Sequence, residues 1–122
     1  MTHDARRKRS YLRGIAAEYW CAGLLLLKGY RIIQLRHRNR YGEIDIIAAR
    51  RNLLVFTEVK ARSAMETALY SVTPTKQQVI ARAASAFIAA HEKYSHTDLR
   101  FDLMVVTSRF RIYHLENAWS IQ

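Results

Sequence analysis

Two short apolar segments separated by a polar turn constrain the fold of this chain more than any other feature. Residues 44–49 and 53–60 are rich in Ile, Val, Leu and Phe, and they are separated by Arg50, Arg51 and Asn52. Segments of this composition favour β-strands, and a short polar connection between them predicts an antiparallel hairpin. Arg-Asn is weaker hairpin chemistry than Asn-Gly, so the spacing carries this prediction.

The hairpin predicts that two carboxylates face each other. If the turn consists of Arg51 and Asn52, Asp45 lies opposite Glu58 on the neighbouring strand, with Cβ atoms about 5 Å apart. Lys60 lies on the same face as Glu58, because side chains alternate with a period of two along a strand. Facing like charges destabilise a sheet, and a hard divalent cation with oxygen ligands would offset their repulsion. The spacing therefore suggests a metal site beside a lysine.

Two other interpretations of these charges stay open from the residues alone. A turn with an odd number of residues would move Asp45 and Glu58 to opposite faces of the sheet. Alternatively, the two acids are unrelated strand charges, and Lys60 pairs with Glu58 at the edge of the sheet. Spacing does not decide between these interpretations and a metal site, because motifs of this size also occur by chance.

The charge balance favours a polyanionic partner. The chain has 122 residues, which suits one domain with a single hydrophobic core. Its 20 Lys and Arg against 10 Asp and Glu give a formal net charge of +10. Phosphate neutralisation and counterion release make nucleic acid the expected partner. A membrane surface is the competing partner for such a charge, and we expect no membrane association.

Other features of the composition bear on compartment and cofactor. We expect a cytoplasmic protein, because the sequence shows no membrane-spanning run and no secretory signal. Cys21 is the only cysteine, which suits a reducing compartment, and we expect an inert packed thiol. The histidines lack the spacing of zinc ligands, and the glycines form no phosphate-binding loop.

The remaining pattern predicts an α/β chain in the order helix, three strands, helix, two strands. Apolar residues at helical spacing predict the first helix over residues 11–27, and Thr73 with Pro74 predicts the start of the second. We expect a loop over residues 61–72 and a tail over residues 116–119 whose tryptophan packs. The strands outside the hairpin are predicted at residues 30–35, 99–107 and 109–115.

Basic residues outside the hairpin are candidates for contact with nucleic acid. Residues 1–9, which contain a basic run at 6–9, are either a mobile basic arm or the solvated start of the first helix. Residues 36–41 are expected to form a loop, in which interleaved Arg, Asn and Tyr suit phosphate contact and base stacking. The candidate residues in these two segments are Arg6, Arg7, Lys8, Arg9, Arg36, Arg38 and Arg40.

Several motifs together resemble a known family. In chain order they are Gly14-Ile15-Ala16-Ala17-Glu18, Gly29-Tyr30, Arg38-Asn39, Gly42-Glu43-Ile44-Asp45, Glu58-Val59-Lys60-Ala61-Arg62, Thr73 with Lys76-Gln77, Arg100-Phe101-Asp102, His114 and Glu116-Asn117-Ala118. They cover nearly the whole chain and are similar to the YraN-like group of small bacterial proteins. That group resembles the archaeal Holliday-junction resolvases within the PD-(D/E)XK nuclease superfamily, although Ile44 stands where the name of the superfamily expects proline.

The resemblance implies a restriction-endonuclease-like core, in which a mixed β-sheet is flanked by helices. By position, Asp45, Glu58 and the backbone carbonyl of Val59 would be the metal ligands. Glu18 lies in the first helix among small and apolar neighbours, where a glutamate needs a partner, and it would be the helix-borne acid that completes the site. Lys60 would position or activate the attacking water, so the catalytic residues would be Glu18, Asp45, Glu58 and Lys60.

The activity implied by the resemblance is Mg²⁺- or Mn²⁺-assisted hydrolysis of phosphodiester bonds in DNA, with branched molecules or repair intermediates as substrates. Lys76 or Gln77, at a helix N-terminus, would touch a phosphate, and Arg62 is a further candidate contact. Resolvase-like relatives act as dimers, so a homodimer is one assembly to test. The alternative is a non-catalytic nucleic-acid-binding module with the same fold, although such a module gains nothing from acids that face an anionic backbone.

Overall fold

In a computed structural model of this chain, residues 2–62, 68 and 70–120 are described. These residues form a helix, three strands, a second helix and two further strands, so the predicted α/β class and element order are confirmed. The elements are α1 (His3–Leu27), β1 (Arg31–Asn39), β2 (Gly42–Arg50), β3 (Leu53–Ala61), α2 (Pro74–Ala90), a 3-10 helix (Glu92–Tyr94), β4 (Asp98–Val106) and β5 (Ile112–Trp119).

The strands form one mixed sheet in the order β1-β2-β3-β4-β5. β3 and β4 are parallel, whereas the other neighbouring strands are antiparallel. Parallel neighbours need a crossover connection, and α2 lies within it. The hairpin register is as predicted, because Ile47 pairs with Phe56 and Arg50 with Leu53. This architecture is consistent with the expected restriction-endonuclease-like core.

The two helices cover opposite faces of the sheet. Phe56 belongs to a buried cluster with Phe87 of α2, whereas Val55 belongs to a second cluster with Cys21 of α1. Gly42 permits the close approach of α2, because an added Cβ would lie 2.6 Å from Cγ1 of Val79. Cys21 is fully buried, so the prediction of a packed thiol is confirmed. Burial, as the largest cause, raises the pKa of this thiol to about 12.

The first helix begins earlier than predicted. It starts at His3, and Oγ1 of Thr2 caps it by accepting a hydrogen bond from the N–H of Ala5 over 3.1 Å. Residues 6–9 are therefore exposed helical residues, which is the second of the two predicted alternatives. The helix ends as expected before Gly29, whose φ is 91°. Neither α1 nor any other helix in the described part of the chain is long and apolar enough to cross a membrane.

The loop predicted over residues 36–41 is largely strand. β1 extends to Asn39 and leaves only a short turn before β2. Contacts with α2 explain the difference, since Nδ2 of Asn39 donates to the carbonyl of Ala83 over 3.0 Å. The ring of His37 also packs edge-on against Phe87, with ring centroids 5.1 Å apart. These polar side chains thus hold a strand against a helix.

Two further boundaries differ from the prediction. The tail predicted over residues 116–119 is the end of β5, because Trp119 is 8% exposed and its ring stacks on Phe101; the packing of the tryptophan itself is confirmed. In the loop predicted over residues 61–72, Ala68, Tyr70 and Ser71 are helical, and residues 63–67 and 69 lie outside the described residues. The second helix starts as predicted, with Thr73 as its N-cap and proline in its first turn.

Candidate active site

The two predicted carboxylates lie where the backbone pairing of β2 and β3 has ended. The paired residues run from the turn to Ile46 and Thr57. Immediately beyond them, the backbone N–H of Val59 donates to Oδ2 of Asp45 over 2.8 Å. The side chain of Asp45 thereby bridges the two strands and is held close to Glu58.

Glu58 is buried in surroundings that favour its protonated form. The residue is 6% exposed. Burial first, and then the hydrogen bond with and the charge of Asp45, raise the pKa of Glu58 to about 9, whereas the charges of Lys60 and Lys76 lower it. A buried carboxylate that faces another acid ionises readily only if further positive charge is supplied. The pair therefore carries a proton at neutral pH unless a cation replaces it.

Two lysines from different elements approach Glu58. Lys76, in the first turn of α2, places its Nζ 3.9 Å from Oε2 of Glu58. Its backbone N–H is capped by Oγ1 of Thr73 over 3.2 Å, which fixes the first turn. Lys60, on the same strand as Glu58, is close enough for its charge to lower the pKa of that carboxyl group. Positive side chains thus border the acids from the sheet and from a helix N-terminus.

Glu18 reaches the same region from α1. Burial and then the charge of Asp45 raise the pKa of Glu18 to about 7, against the lowering effect of Arg36. Oε1 of Glu18 lies 3.5 Å from Nε of Arg36, yet both atoms are buried without a hydrogen-bond partner. Buried polar atoms are nearly always hydrogen-bonded. Glu18 therefore offers an acceptor oxygen that a cation or a ligand donor would satisfy.

The donors at this site suit a hard divalent cation. Asp45 raises the pKa of both Glu18 and Glu58, so the three acids interact through the central one. Their carboxylate oxygens are the ligands that Mg²⁺ and Mn²⁺ prefer. No group of three or more His, Cys, Asp and Glu within the described ranges is arranged so that it could hold a metal on its own. The carboxylates are accordingly a partial ligand set, and backbone oxygens, water or substrate would have to complete it.

The arginines of β1 and of the turn after it, which were predicted to contact phosphates, each contact another side chain of the protein. Both terminal nitrogens of Arg36 lie 3.2 Å from the hydroxyl of Tyr11, which anchors Arg36 between α1 and β1 beside Glu18. Arg38 pairs with Glu43 over 3.1 Å and stays largely exposed. In the turn that follows, Arg40 stacks over the ring of Tyr41, with its Cζ 4.8 Å from the ring centroid.

The other predicted contacts divide between the site and the surface. Lys76 lies beside Glu58, and Gln77 donates through Nε2 to the carbonyl of Val72 over 3.1 Å. Arg62 is exposed directly after β3. The exposed residues in the first turns of α1 are Arg6, Arg7, Lys8 and Arg9.

A buried ionic cluster lies on β4 and β5, outside this site. Asp102 is 0% exposed and accepts from Nε and a terminal nitrogen of Arg100, each over 2.8 Å. Nε2 of His114 lies 2.7 Å from the same carboxylate, and the N–H of Asn117 donates to it over 3.0 Å. Burial alone raises the pKa of Asp102, but hydrogen bonds from His114 and Arg100 outweigh it and hold the pKa below its ordinary value.

This cluster connects the far end of α1 to the sheet. Arg100 donates to the hydroxyl of Tyr30 over 2.6 Å, and Nζ of Lys28 lies 2.8 Å from Nδ1 of His114. None of these residues has a role predicted from the sequence beyond the family motifs. One signal was available, because Arg100 and Asp102 alternate with apolar residues along a predicted strand, and two such charges on one strand face predict an ion pair.

Comparisons with known proteins agree on one family. Residues 7–106 match the model of "Uncharacterised protein family UPF0102". A UPF0102 protein of Bradyrhizobium diazoefficiens is 48% identical over 93% of this chain and 85% of its own length. A UPF0102 protein of Rhodopseudomonas palustris is 45% identical over 93% of this chain and 84% of its own. A third, from Mesorhizobium japonicum, is 40% identical over 95% of this chain and 93% of its own.

Proposed function

This chain belongs to the UPF0102 family, which confirms its resemblance to the YraN-like group, and we propose that it is a metal-dependent nuclease that hydrolyses phosphodiester bonds in DNA. Branched DNA and repair intermediates are the expected substrates. The observation that carries this proposal is that Asp45 faces the buried Glu58, and that Lys60 and Lys76 lie close to this pair of acids.

The facing acids favour catalysis over passive binding. A chain with a net charge of +10 already attracts phosphates, and acids turned towards an anionic backbone would weaken that attraction. Burial of Glu58 beside Asp45 also destabilises the metal-free protein. Both costs are removed when a divalent cation binds between the acids and the substrate. A pure binding module has no such use for the two carboxylates.

The roles of the side chains follow from their positions. Asp45, Glu58 and the Val59 carbonyl would hold Mg²⁺ or Mn²⁺, with Glu18 as a further ligand. Such an ion, when bound, polarises the phosphoryl oxygen and lowers the pKa of the attacking water. Lys60 would offset the negative charge that grows on the phosphoryl oxygens during attack.

Lys76 and Glu18 have supporting roles in this proposal. Lys76 occupies the first turn of α2, where free backbone N–H groups and the helix dipole favour a phosphate group. In the metal-free protein, burial and then the charge of Asp45 raise the pKa of Glu18 to about 7, so a bound cation that takes this carboxylate as a ligand would displace a proton from it. Together Lys76 and Glu18 would orient the substrate and complete the ligand set.

A cleavage panel tests the proposal. Labelled Holliday junctions, flaps, linear duplexes and supercoiled plasmid are incubated with the purified protein in Mg²⁺, Mn²⁺ or no divalent ion. We expect metal-dependent cleavage that Glu58→Gln abolishes. Glu92→Gln is the matched control, because Glu92 is an exposed acid in the 3-10 helix and its replacement should leave cleavage unchanged. Absence of cleavage with every substrate by folded protein would contradict the proposal.

A non-catalytic DNA-binding role is the second candidate. The net charge of +10 and the exposed basic run of α1 favour it. The same panel distinguishes the two functions, since a binding module would retard the substrates in a gel without cutting them. Its affinity would also be indifferent to Glu58→Gln or would increase, because the variant removes a negative charge.

A further inference from the structure

A groove of about 770 Å³ opens between α1, the end of β3 and the loop between β4 and β5. α1 lines one wall with Arg13 and Trp20, and the end of β3 contributes Arg62. The loop between β4 and β5 closes the other side with Ser108 and Phe110. None of the roles proposed for the acids and lysines of the active site accounts for this groove.

Two aromatic side chains are exposed in the groove and yet held in place. Trp20 is 52% exposed and Phe110 is 69% exposed, and their ring centroids lie 6.0 Å apart at an interplanar angle of 64°. Nε1 of Trp20 donates to the carbonyl of Phe110 over 2.8 Å. The polar atom of the indole is thereby satisfied by the protein, and the ring faces remain for apolar contact.

The backbone of Phe110 supports a binding role for its ring. Its φ is 58°, in the left-handed region that bulky side chains rarely adopt and that often marks functional sites. The turn is fixed by the N–H of Phe110, which donates to the carbonyl of Thr107 over 3.0 Å, and by the bond from Trp20. A glycine would relieve the strain at this position, so the phenylalanine side chain occupies it at a cost to stability.

Charge and position narrow the class of ligand. Arg13 and Arg62 add two guanidinium groups to the aromatic groove, and the whole chain has a net charge of +10. Aromatic faces combined with cations are typical of surfaces that bind single-stranded nucleic acid, because bases stack while phosphates pair with Arg. Duplex DNA keeps its bases stacked on one another and cannot offer those faces.

The groove lies on the α1 side of the sheet. Ala17, Ala61 and Val106 line it and belong to, or pack against, the buried cluster that α1 covers. Side chains alternate along β3, so Glu58, which faces Lys76 of α2, points to the other side of the sheet from Ala61. At a rise of about 3.3 Å per strand residue, Arg62 lies roughly 13 Å along the chain from Glu58. DNA bound in the groove would therefore have to pass around the end of β3 to reach Glu58.

We propose that this groove binds a single-stranded segment of the DNA substrate, with unpaired bases stacked on Trp20 and Phe110 and phosphates paired with Arg13 and Arg62. This binding role rests on the proposed nuclease function and narrows its substrate to DNA with an unpaired segment, such as a flap or a splayed arm. It is a property of binding, so it can be measured without cleavage.

The test measures the affinity of the full chain for a labelled oligothymidylate and for a duplex of equal length, in Ca²⁺ to suppress cutting. Trp20→Ala and Phe110→Gly should each weaken single-strand binding by about 5- to 100-fold, the range for loss of one base stack, and should change duplex binding by less than about 2-fold. Phe110→Gly is expected to fold, because glycine readily adopts the positive φ of this position. Tyr19→Ala is the matched control, since Tyr19 is exposed on the same helix outside the groove and should leave both affinities unchanged.

Two further probes identify what the groove recognises. An oligonucleotide with abasic sites should bind the wild-type protein as weakly as the oligothymidylate binds the aromatic variants. Arg13→Ala and Arg62→Ala should each reduce the slope of log K against log salt by about 0.7, the value per phosphate contact on single strands, whereas the aromatic variants should leave that slope unchanged.

The outcomes separate this inference from the proposed nuclease function. If the aromatic variants lose affinity for single-stranded and duplex DNA equally, or lose affinity for neither, the groove assignment is overturned even if the wild-type protein cuts DNA. Binding to anionic phospholipid vesicles is measured with the same variants. If Trp20→Ala and Phe110→Gly lose vesicle binding but keep their affinity for single-stranded DNA, the groove binds a membrane surface and the groove assignment is overturned. Selective loss of single-strand binding by a protein that cuts nothing would support the groove and contradict the nuclease.

Discussion

The backbone N–H of Val59 donates to the side chain of Asp45 over 2.8 Å, one step beyond the last paired residues of β2 and β3. The carboxylate of Asp45 is therefore held by the neighbouring strand. In an antiparallel pair, a hydrogen-bonded residue directs its N–H and its C=O towards the same neighbour. We therefore expect the carbonyl of Val59, the proposed third ligand, to face the same side as Asp45. The end of strand pairing is what brings backbone and carboxylate oxygens together.

Asp45→Asn should weaken divalent-ion binding without unfolding the protein. The amide oxygen can still accept from the N–H of Val59, but one ionised ligand is lost. The substitution also removes a charge that faces Glu58, so the metal-free variant should be more stable by about 0.2 to 1 kcal/mol on the scale of cross-strand pairs. Isothermal titration with Mn²⁺ measures the first effect and urea denaturation the second.

The control for this variant is Asp98→Asn. Asp98 is exposed at the start of β4, away from the carboxylates, so its replacement should not change Mn²⁺ affinity. Equal Mn²⁺ binding by wild type and Asp45→Asn, or the absence of Mn²⁺ binding in both, would contradict the proposed ligand role.

Local pattern was sufficient to predict the central hairpin and most of the fold. Residues 44–60 combine apolar strand segments with a short polar turn, and this fixed the register by which Ile47 faces Phe56. Thr73 and its following proline marked the start of α2 for a similarly local reason, since cap and first turn are adjacent in sequence. The resemblance to a family supplied the mixed sheet flanked by helices, which local pattern does not contain.

Contacts between distant segments were not predictable in this way. β1 continues to Asn39 because that side chain reaches the carbonyl of Ala83 on α2, and the pattern of β1 alone carries no trace of the helix. Likewise, the sequence around Arg36 predicted a cation in a solvent-exposed loop. Its contacts with Tyr11 and Glu18 depend on how α1 crosses the sheet, which the local sequence does not show. The acids of the candidate site are brought together by topology, while their number and type were visible in the sequence.

Asp102→Asn should destabilise the protein strongly at neutral pH. The substitution removes the charge that pairs with Arg100, whose side chain is 15% exposed, and a carboxylate oxygen that lies 2.7 Å from His114. Loss of one partner from a buried ion pair costs about 3 to 5 kcal/mol of unfolding free energy. We expect a loss towards the lower end of this range, because Arg100 keeps Glu116 as a second partner at 3.8 Å. Denaturant unfolding of the variant measures this cost, and Asp98→Asn, an exposed acid on the same strand, should change stability by less than about 0.5 kcal/mol.

The contribution of Asp102 should also depend on pH in a defined direction. Its pKa is lowered in the folded protein, because hydrogen bonds from His114 and Arg100 outweigh the effect of burial. The unfolded state therefore binds the proton more readily, and the stabilisation by Asp102 is complete above the ordinary pKa of about 3.9. It should decline as the pH falls below that value and through the folded pKa. The stability difference between wild type and Asp102→Asn should shrink accordingly, and a difference that grows on acidification would contradict the sign.

DNA binding should weaken steeply as salt concentration rises. Each phosphate contact releases condensed counterions, so the slope of log K against log salt should be about −0.9 per contact on duplex DNA. A chain with a net charge of +10 should make several such contacts. Fluorescence anisotropy over a range of KCl concentrations measures the slope in Ca²⁺. A slope near zero, or equal affinity for an uncharged polymer, would show that the basic surface serves another purpose.

Lys60→Ala should separate chemistry from binding. The charge of Lys60 acts on Glu58, and in the proposed mechanism Lys60 offsets the negative charge that grows during attack on the phosphate. Removal of one such stabilising group costs on the order of 10² in rate, whereas affinity for a substrate with many phosphate contacts should change little. Single-turnover cleavage of the best substrate measures the rate, and binding in Ca²⁺ measures the affinity.

The reciprocal variant replaces the exposed basic run of α1, namely Arg6, Arg7, Lys8 and Arg9, with alanine. These side chains point to solvent in the first turns of the helix, so their loss should weaken binding and reduce its salt slope. Single-turnover cleavage at saturating enzyme should stay close to the wild-type rate, because no residue near Glu58 has changed. If instead Lys60→Ala cleaves at the wild-type rate while the helix variant does not, the lysine has no role in chemistry and the catalytic centre lies elsewhere.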